Sequence, residues 1–409
     1  MKNNERLEEL TNELLTRYER WEDETIRYIG ARLKKLEKLT PADIKTINNA
    51  AEVNRDLGHI FEQLAEVTDK SVAEVAEIYG DVFDEIHDSN SGLYDYRKIP
   101  FTPINENEKL AGMINGFSKK TGEELINLTN TKAIGFVNAN GAFGTVKTTI
   151  FDALGEAAIG VRSGSVSFHT ATKRAIEQLG ASGLVIDYGN GVHRSVESVV
   201  RANVLYGAKQ ASEEYNKIVG EEVGCDGIEI DWHPHPRPAH EFIQGRQFVI
   251  GKSQTIDGVF FQGADEVDPR SPDELSANKA LNQYGCLHSP MPIICGVSEP
   301  TYDPEQLKKL NEENSKPIEI DGVTKTGYEW KQSMRRLERE ARKEKRQIAG
   351  LEGLGDKNAI KEHRETLTAI RQKHAEIADA IGSRVDEDRM RIYKGAKPAV
   401  SSTKDLKKV

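Results

Sequence analysis

The most regular feature of the chain is an apolar stripe near its N-terminus. Apolar residues recur there at steps of three and four between charged ones: Leu7, Leu10, Leu14, Tyr18, Trp21, Ile26 and Ile29. An α-helix has about 3.6 residues per turn, so this spacing places them on one helical face. A further helix is predicted after a capping residue at Asp69 or Ser71. We therefore predict an N-terminal helical arm over residues 1–90.

Residues 108–222 are predicted to form a mostly helical core region. The short apolar run 184–188 predicts a strand, and Gly189–Asn190–Gly191 predicts a hairpin turn after it. A helix is then expected from Ser195 to about Ile218. The glycine-rich stretch 135–144 is interpreted as a flexible connection, because no Lys-Ser/Thr pair follows it as in a phosphate-binding loop.

The pattern changes near residue 224, where alternating apolar and polar positions replace the helical spacing. This alternation predicts three strands: 227–233, 246–250 and 259–261. Asp321–Gly322 is a two-residue hairpin signal. Since glycine and proline are frequent here as well, we predict a small β-containing module over residues 223–327.

The last part of the chain is predicted to be a charged helical hairpin over residues 328–395. Two apolar stripes have helical spacing: Trp330, Met334, Leu337 and Ala341, then Ile360, Leu367, Ile370, Ile377 and Ile381. The glycine-rich segment 349–356 is interpreted as the turn between them. Residues 396–409 are predicted to be a disordered tail. The fold class predicted is α+β: predominantly helical arms around a small β-containing module, with a C-terminal charged helical hairpin.

Composition excludes several classes of protein. Of 409 residues 30% are charged, and the net charge of −10 argues against a general basic face for nucleic acid. Three cysteines, an odd number, argue against a secreted disulfide framework. The sequence shows no apolar signal region and no run of about 20 apolar residues. We therefore expect a soluble protein made in the cytoplasm, with no membrane partner.

Candidate chemistry is concentrated in two short windows of the β-containing module. The first window holds three histidines between prolines, and the second holds a Cys-x-His pair: His233, His235, His240, Cys286 and His288. Imidazole and thiolate are the ligands that zinc prefers. His233, His240, Cys286 and His288 are therefore candidate ligands of a structural zinc ion. The alternative is a hydrogen-bonded cluster in which the backbone and Asp231 or Glu241 satisfy the imidazoles.

Arginine and lysine residues offer two further candidates. Arg237 and Arg246 are interpreted as structural ion-pair residues, with Asp265, Glu266 and Asp268 as possible partners. The basic stretch 331–346 is the best local candidate for a nucleic-acid contact. Its alternative interpretation is a solvated helix face that carries i,i+4 ion pairs.

The two windows also carry a family resemblance. The pattern His-x3-Arg-Pro-x-His, then Gln-Gly-basic-x-aromatic, then Cys-x-His-Ser resembles the phage minor capsid protein 2 family. That family is related to the phage Mu F-like head morphogenesis proteins. The matching residues are His233, Arg237, Pro238, His240, Gln244, Gly245, Cys286, His288 and Ser289, and the segment 296–302 continues the match.

This sequence departs from the family pattern at three positions. An arginine usually stands between the cysteine and the histidine, where this chain has Leu287. An asparagine usually precedes the cysteine, where this chain has Gly285, and a glycine is common at the position of His235. The missing arginine lowers the expectation of an active enzyme.

The resemblance implies a function. Members of the family are low-copy structural proteins of the phage head that are associated with the portal and involved in head assembly, DNA packaging or ejection. The expected partners are the portal protein and other capsid proteins, with packaged DNA as a further possibility. The expected location is the interior of the capsid near the portal, and the expected contact is made by the apolar stripes of the helical arms.

An enzyme is the alternative function. A zinc-dependent hydrolase or nuclease would hold the metal with His233, His240, Cys286 and His288, and Glu241 would be its nearest general base. Four protein ligands would close the coordination shell, however, whereas a catalytic zinc keeps an open position. This coordination argument and the family resemblance both favour the structural protein over the enzyme.

Overall fold

A computed structural model describes residues 2–36, 50–130, 133–153, 167–283, 286, 288–383 and 390. The predicted tail over 396–409 lies outside the described residues, as do Gly285 and Leu287.

Helices make up most of the described chain. They are α1 (Lys2–Leu36), α2 (Ala50–Ser89), α3 (Ser91–Arg97), α4 (Glu108–Asn130), α5 (Phe168–Ser182), α6 (Val196–Val223), α7 (Ala277–Leu281), α8 (Pro304–Asn314), α9 (Gly327–Leu354) and α10 (Lys357–Ala380). Short 3-10 turns cover Ile104–Glu106 and Pro238–His240, and residues 146–153 are also helical.

The strands are short, and every pairing between two of the described strands is antiparallel. They are β1 (Ile134–Val137), β2 (Phe143–Thr145), β3 (Val185–Asp187), β4 (His193–Ser195), β5 (Gly227–Ile230), β6 (Gln247–Val249), β7 (Gln254–Ile256), β8 (Val259–Phe261), β9 (Pro290–Ile293), β10 (Ile318–Ile320) and β11 (Val323–Lys325). They form sheets in the orders β2-β1-β3-β4 and β6-β5-β9, and two hairpins, β7-β8 and β10-β11. The predicted α+β class, mostly helical, is confirmed.

The chain divides into two compact units, each assembled from three separated stretches. Unit 1 contains residues 1–11, 74–121 and 204–333, and unit 2 contains residues 12–73, 122–203 and 334–409. The division into five consecutive domains stays a prediction of the sequence.

The part of helix α1 that belongs to unit 2 buries the predicted stripe from Leu14 onwards. Tyr18, Trp21 and Ile26 are 1%, 3% and 0% exposed. The indole N–H of Trp21 donates to the carbonyl of Ile60 on α2 at 3.0 Å, so the one polar atom of this large side chain is satisfied inside the core.

Close packing explains the glycines of the segment 349–356. Helix α9 runs through this segment to Leu354, so its interpretation as a turn was wrong except at the end, where Gly355 has φ +82°. A Cβ added at Gly30 of α1 would overlap the carbonyl of Gly350, and one at Gly353 would overlap the carbonyl of Arg27. The glycines therefore allow two helical backbones to touch.

Charged residues lie inside the same interface. Lys345 of α9 donates to Glu19 of α1 at 2.8 Å, and the pair is only 2% and 5% exposed. Arg346 pairs with Glu22 at 3.2 Å and also donates from Nε to the carbonyl of Gly180 at 2.9 Å. Lys345 and Arg346 were part of the basic stretch considered for nucleic-acid contact. Because they are buried and paired, they are not part of such a surface.

Two similar hairpins form the four-stranded sheet of unit 2. Asn140–Gly141 and Asn190–Gly191 lie in their turns, with φ +79° at both glycines. The stretch 135–144 is therefore an ordered hairpin and not a flexible connection. Its turn is held by the Asn138 side chain, which accepts the N–H groups of Asn140 and Ala142, both at 3.0 Å.

Unit 1 contains residues 223–327, the range predicted to form a small β-containing module. The strands expected near 227–233, 246–250 and 259–261 are present as β5, β6 and β8. The hairpin expected at Asp321–Gly322 is confirmed, and both turn residues have positive φ, 52° and 74°, as a two-residue turn of this kind requires. The apolar core of the module includes Ile230, Ile243 and Phe248, each 0% exposed.

Replacing Gly30 with alanine tests the helix contact in unit 2. Alanine has a higher helix propensity than glycine. At this position, however, its methyl group would overlap the Gly350 carbonyl oxygen. Gly30→Ala should therefore lower the free energy of unfolding by about 1–3 kcal/mol. Gly58→Ala on α2 is the matched control, because its Cβ would meet no atom within 4 Å. Equal stabilities of the two variants by denaturant unfolding would contradict the close contact.

A pH-dependent stability is expected from Asp23 of α1. Burial raises the pKa of its carboxyl from 3.8 to about 7; Lys345 and Arg346 oppose this shift, and Glu22 and Glu19 add to it. Because this pKa is raised on folding, its contribution to stability is fully present below pH 3.8 and is lost as the pH rises towards 7.

Asp23→Asn keeps the neutral form at every pH. The variant should be more stable than the parent chain at pH 8, by about 1–2 kcal/mol after allowance for solvent screening. The difference should shrink towards pH 4 in denaturant titrations. A difference that does not change between pH 4 and pH 8 would show that this carboxyl has an ordinary pKa in the folded chain.

Candidate metal centre

Strand pairing brings the two histidine windows together. Strands β5 and β9 are antiparallel, and their register pairs Ile230, the last residue of β5, with Pro290, the first of β9. The window that follows β5 therefore lies beside the window that precedes β9. Two hydrogen bonds extend this pairing: Asp231 N–H donates to the Ser289 carbonyl at 3.2 Å, and Ser289 N–H donates to the Asp231 carboxylate at 2.8 Å.

The first window is an irregular loop held by side-chain amides of α8. The indole N–H of Trp232 donates to Asn311 at 3.0 Å, and the backbone N–H of His235 donates to Asn314 at 2.8 Å. His235 has φ +55°, a left-handed conformation that is costly for a non-glycine residue. The loop then enters the 3-10 turn Pro238–His240, which buries His240 at 2% exposure.

The second window follows the short helix α7. Ser276 caps this helix by accepting the N–H of Lys279 at 3.2 Å. Beyond it, the backbone N–H of Cys286 donates to the carbonyl of Gln283 at 3.1 Å. The Gln283 side-chain oxygen lies 2.8 Å from Nε2 of His240 and also accepts from Arg237 at 3.3 Å. Gln283 therefore connects the two windows.

Three of the four predicted ligands converge. The possible ligand atoms of His240, Cys286 and His288 all lie within 4.8 Å of one another. The Cys286 Sγ is 3.6 Å from Nδ1 of His288. His240 and His288 are 2% and 3% exposed, and Cys286 is partly buried. Among the residues that the structure describes, this is the group of histidine, cysteine and acidic side chains close enough to hold a metal ion.

The fourth predicted ligand, His233, lies next to this group. Its ring centroid is 4.2 Å from that of His288, with an angle of 31° between the planes. Its Nδ1 faces the Pro234 carbonyl at 3.2 Å, and its Nε2 is buried without a hydrogen-bond partner in the described part of the chain. An unsatisfied buried nitrogen costs about 1–3 kcal/mol, so this atom destabilises the loop unless a ligand meets it.

His235 lies apart from the group. A Cβ added at Gly327, the first residue of α9, would overlap the His235 ring. The imidazole is therefore packed against the start of that helix.

Burial controls the protonation of the group. It lowers the pKa of His233 to about 4, lowers that of His240, and lowers that of His288 well below its ordinary value. The three imidazoles are therefore neutral near pH 7, which is the form that binds a metal ion. Burial also raises the pKa of the Cys286 thiol, so the thiol is protonated near pH 7.

Several other predicted residues do not take part. Glu241 is not a member of the group, although burial raises the pKa of its carboxyl. Burial lowers the pKa of Arg246, and the charge of Asp268 opposes that shift. Asp268 itself is bound by the Arg270 side chain, with Nε at 2.8 Å from its carboxylate.

The amides that organise the site were not anticipated as structural residues. Gln244, which is fully buried, places its side-chain amide 3.4 Å from Nε2 of His288 and 3.0 Å from Asn311. An amide can present either its oxygen or its nitrogen, so Gln244 is able to match either tautomer of this histidine. Gln244 belongs to the sequence pattern quoted above, whereas Gln283 and Asn314 carry no signal in the sequence.

Comparison with known proteins places this α+β chain among the structural proteins of phage capsids. The chain belongs to the phage minor capsid protein 2 family, whose model matches residues 3–378. The match covers nearly the whole chain, including both histidine windows, and it confirms the resemblance inferred from them. No curated protein and no solved structure matches the chain.

Family membership establishes the general role. The chain is a structural protein of the phage head, a component of the virion, and it interacts with other capsid components. Within the described residues, none of the helices has the length and apolar character needed to cross a membrane.

Proposed function

We propose that this protein is a low-copy head component that binds the portal from the capsid interior and takes part in head assembly, DNA packaging or ejection. The role is structural and not enzymatic. The observation that supports a protein partner is an exposed apolar hairpin in the β-containing module of unit 1, formed by β7 and β8.

The apolar stripe of α1 does not serve as the docking surface expected from the sequence. Its largest members, Tyr18 and Trp21, are 1% and 3% exposed because they pack inside unit 2. A residue already buried in its own unit has no surface left for a partner. A portal contact therefore requires apolar side chains elsewhere.

The β7-β8 hairpin presents such side chains. Phe260 is 65% exposed and Val259 is 52% exposed, whereas Phe261 is 6% exposed and packs against Val249 and Ile293. The alternation of a strand thus directs one phenylalanine into the core and its neighbour outwards. Asp257–Gly258, with φ 49° and 81°, forms the tight turn that fixes the hairpin.

An exposed aromatic side chain on a rigid hairpin suits a protein contact. Buried aromatic anchors contribute much of the binding energy at protein interfaces. The net charge of −10 favours a protein partner over DNA as the main contact of the chain. Contact with packaged DNA would have to be local.

The hydrolase remains the second candidate, supported only by the convergence of His240, Cys286 and His288. A metal-dependent hydrolase also needs a general base near the metal. The group contains no carboxylate, since neither Glu241 nor another described acidic residue belongs to it. This favours a structural role for the cluster.

The portal contact can be tested by changing Phe260 to aspartate. A charge at the centre of an apolar interface should reduce co-purification with the portal protein at least tenfold, and should reduce the yield of infectious particles when the variant replaces the parent chain. Thermal unfolding should be unchanged, because Phe260 is largely exposed.

Val323→Asp is the matched control. Val323 is 47% exposed on the other hairpin of the module, so it introduces the same charge on a similar scaffold. Normal portal binding by Phe260→Asp, or equal losses in both variants, would count against the β7-β8 hairpin as the contact.

A further inference from the structure

We propose that the cluster beside β5 and β9 is a structural zinc site with the ligands Cys286, His240, His288 and His233. It would bind one divalent cation of the zinc class and connect the two windows of the module. This site does not depend on the proposed portal contact, since it lies between the windows after β5 and before β9 and not on the β7-β8 hairpin.

The distances fit a tetrahedral zinc shell. With Zn–S near 2.3 Å and Zn–N near 2.0–2.1 Å, the sulfur and nitrogen of two ligands are about 3.5–3.6 Å apart. Cys286 Sγ and His288 Nδ1 lie 3.6 Å apart. The ligand atoms of His240, Cys286 and His288 all lie within 4.8 Å of one another, so the side chains would have to move closer together for all three to bind one ion.

The surroundings of the ligands also fit. A metal-bound imidazole usually donates its second ring N–H to an oxygen, which orients the ring. Gln283 Oε1 lies 2.8 Å from Nε2 of His240, and the Gln244 amide lies 3.4 Å from Nε2 of His288. With Nδ1 of His288 on the metal, its Nε2–H faces that amide.

His233 is assigned as the fourth ligand although it lies outside the group of three whose ligand atoms are within 4.8 Å of one another, so its side chain would have to move to reach the ion. The His233 Nε2 is buried without a hydrogen-bond partner in the described part of the chain, and its ring lies against that of His288. Four protein ligands close the coordination shell, which is the arrangement of structural and not of catalytic zinc.

Binding exchanges a proton for the metal ion. Zn²⁺ binds the sulfur of Cys286 as a thiolate, and the thiol proton passes to solvent, while the three neutral imidazoles bind through a lone pair without losing a proton. The ion would tie residues 233–240 to residues 286–288, two windows otherwise joined by hydrogen bonds of β5, β9 and Gln283.

The experiment measures metal binding directly on the purified full chain. We expect about one zinc per chain by elemental analysis, and, after replacement by Co²⁺, an absorption spectrum with thiolate-to-cobalt charge transfer and intense tetrahedral d–d bands. Removal of the metal with a chelator should lower the thermal midpoint, and Zn²⁺ should restore it. Reconstituted protein that holds no zinc, or cobalt spectra without a sulfur contribution, would overturn the proposal.

Variants assign the ligands. Cys286→Ser should remove the charge-transfer band, while Cys295→Ser and Cys225→Ser, which change the two cysteines outside the group, should keep it. His233→Ala should weaken zinc binding at least about tenfold and leave a charge-transfer band from Cys286. His235→Ala is the control for a histidine in the same loop, and its zinc affinity should match that of the parent chain.

Failure of this proposal is distinguishable from failure of the portal contact. The cobalt spectrum of the parent chain is recorded without the portal protein. It therefore tests the metal site even if the portal contact fails or Cys286→Ser does not fold. Unchanged spectra in Cys286→Ser would overturn the ligand set, and unchanged zinc affinity in His233→Ala would overturn the closed four-ligand shell.

Discussion

The site depends on the antiparallel pairing of β5 with β9. Its register sets Ile230 opposite Pro290, so that the end of one strand adjoins the start of the other. Residues about fifty positions apart in the sequence thereby become neighbours. Without this register, His240 could not approach Cys286 and His288, and the windows would be two unrelated polar loops. The mutual hydrogen bonds of Asp231 and Ser289 continue the pairing to the edge of the cluster.

Around this pairing, side-chain amides from three parts of unit 1 bind several of the buried polar groups. Asn311 and Asn314 of α8 hold the loop after β5, Gln283 holds His240 from the other window, and Gln244 faces His288. A buried polar atom without a partner is costly, so this network selects one loop conformation. The left-handed backbone of His235 is maintained by the same contacts, since its N–H is bound by Asn314.

The structural role of glycine was the feature that the sequence analysis predicted least well. The segment 349–356 and the stretch 135–144 both resembled loops, because glycine is common in turns. In unit 2, Gly350 and Gly353 instead allow α9 to touch α1, and Gly135 allows β1 to approach β2 at Gly144. The missing side chain serves close approach in these cases, and that use cannot be distinguished from a turn without knowing the neighbour. By contrast, Asp321–Gly322 was predictable, because a two-residue Asp-Gly turn between strands requires positive φ at both positions.

Local periodicity by itself predicted the long helices, the strands β5, β6 and β8 and the residues with metal-binding chemistry, because these depend on neighbours along the chain. It did not predict β7, β9 or α8. The order of motifs in the two windows also determined the family, phage minor capsid protein 2. Only the tertiary structure decided which candidates meet: His240, Cys286 and His288 converge, whereas His235 packs against Gly327. It also decided that Tyr18, Trp21, Lys345 and Arg346 are buried and that Phe260 is exposed. These outcomes depend on contacts between residues far apart in sequence, and a pattern of neighbouring residues carries no information about such contacts.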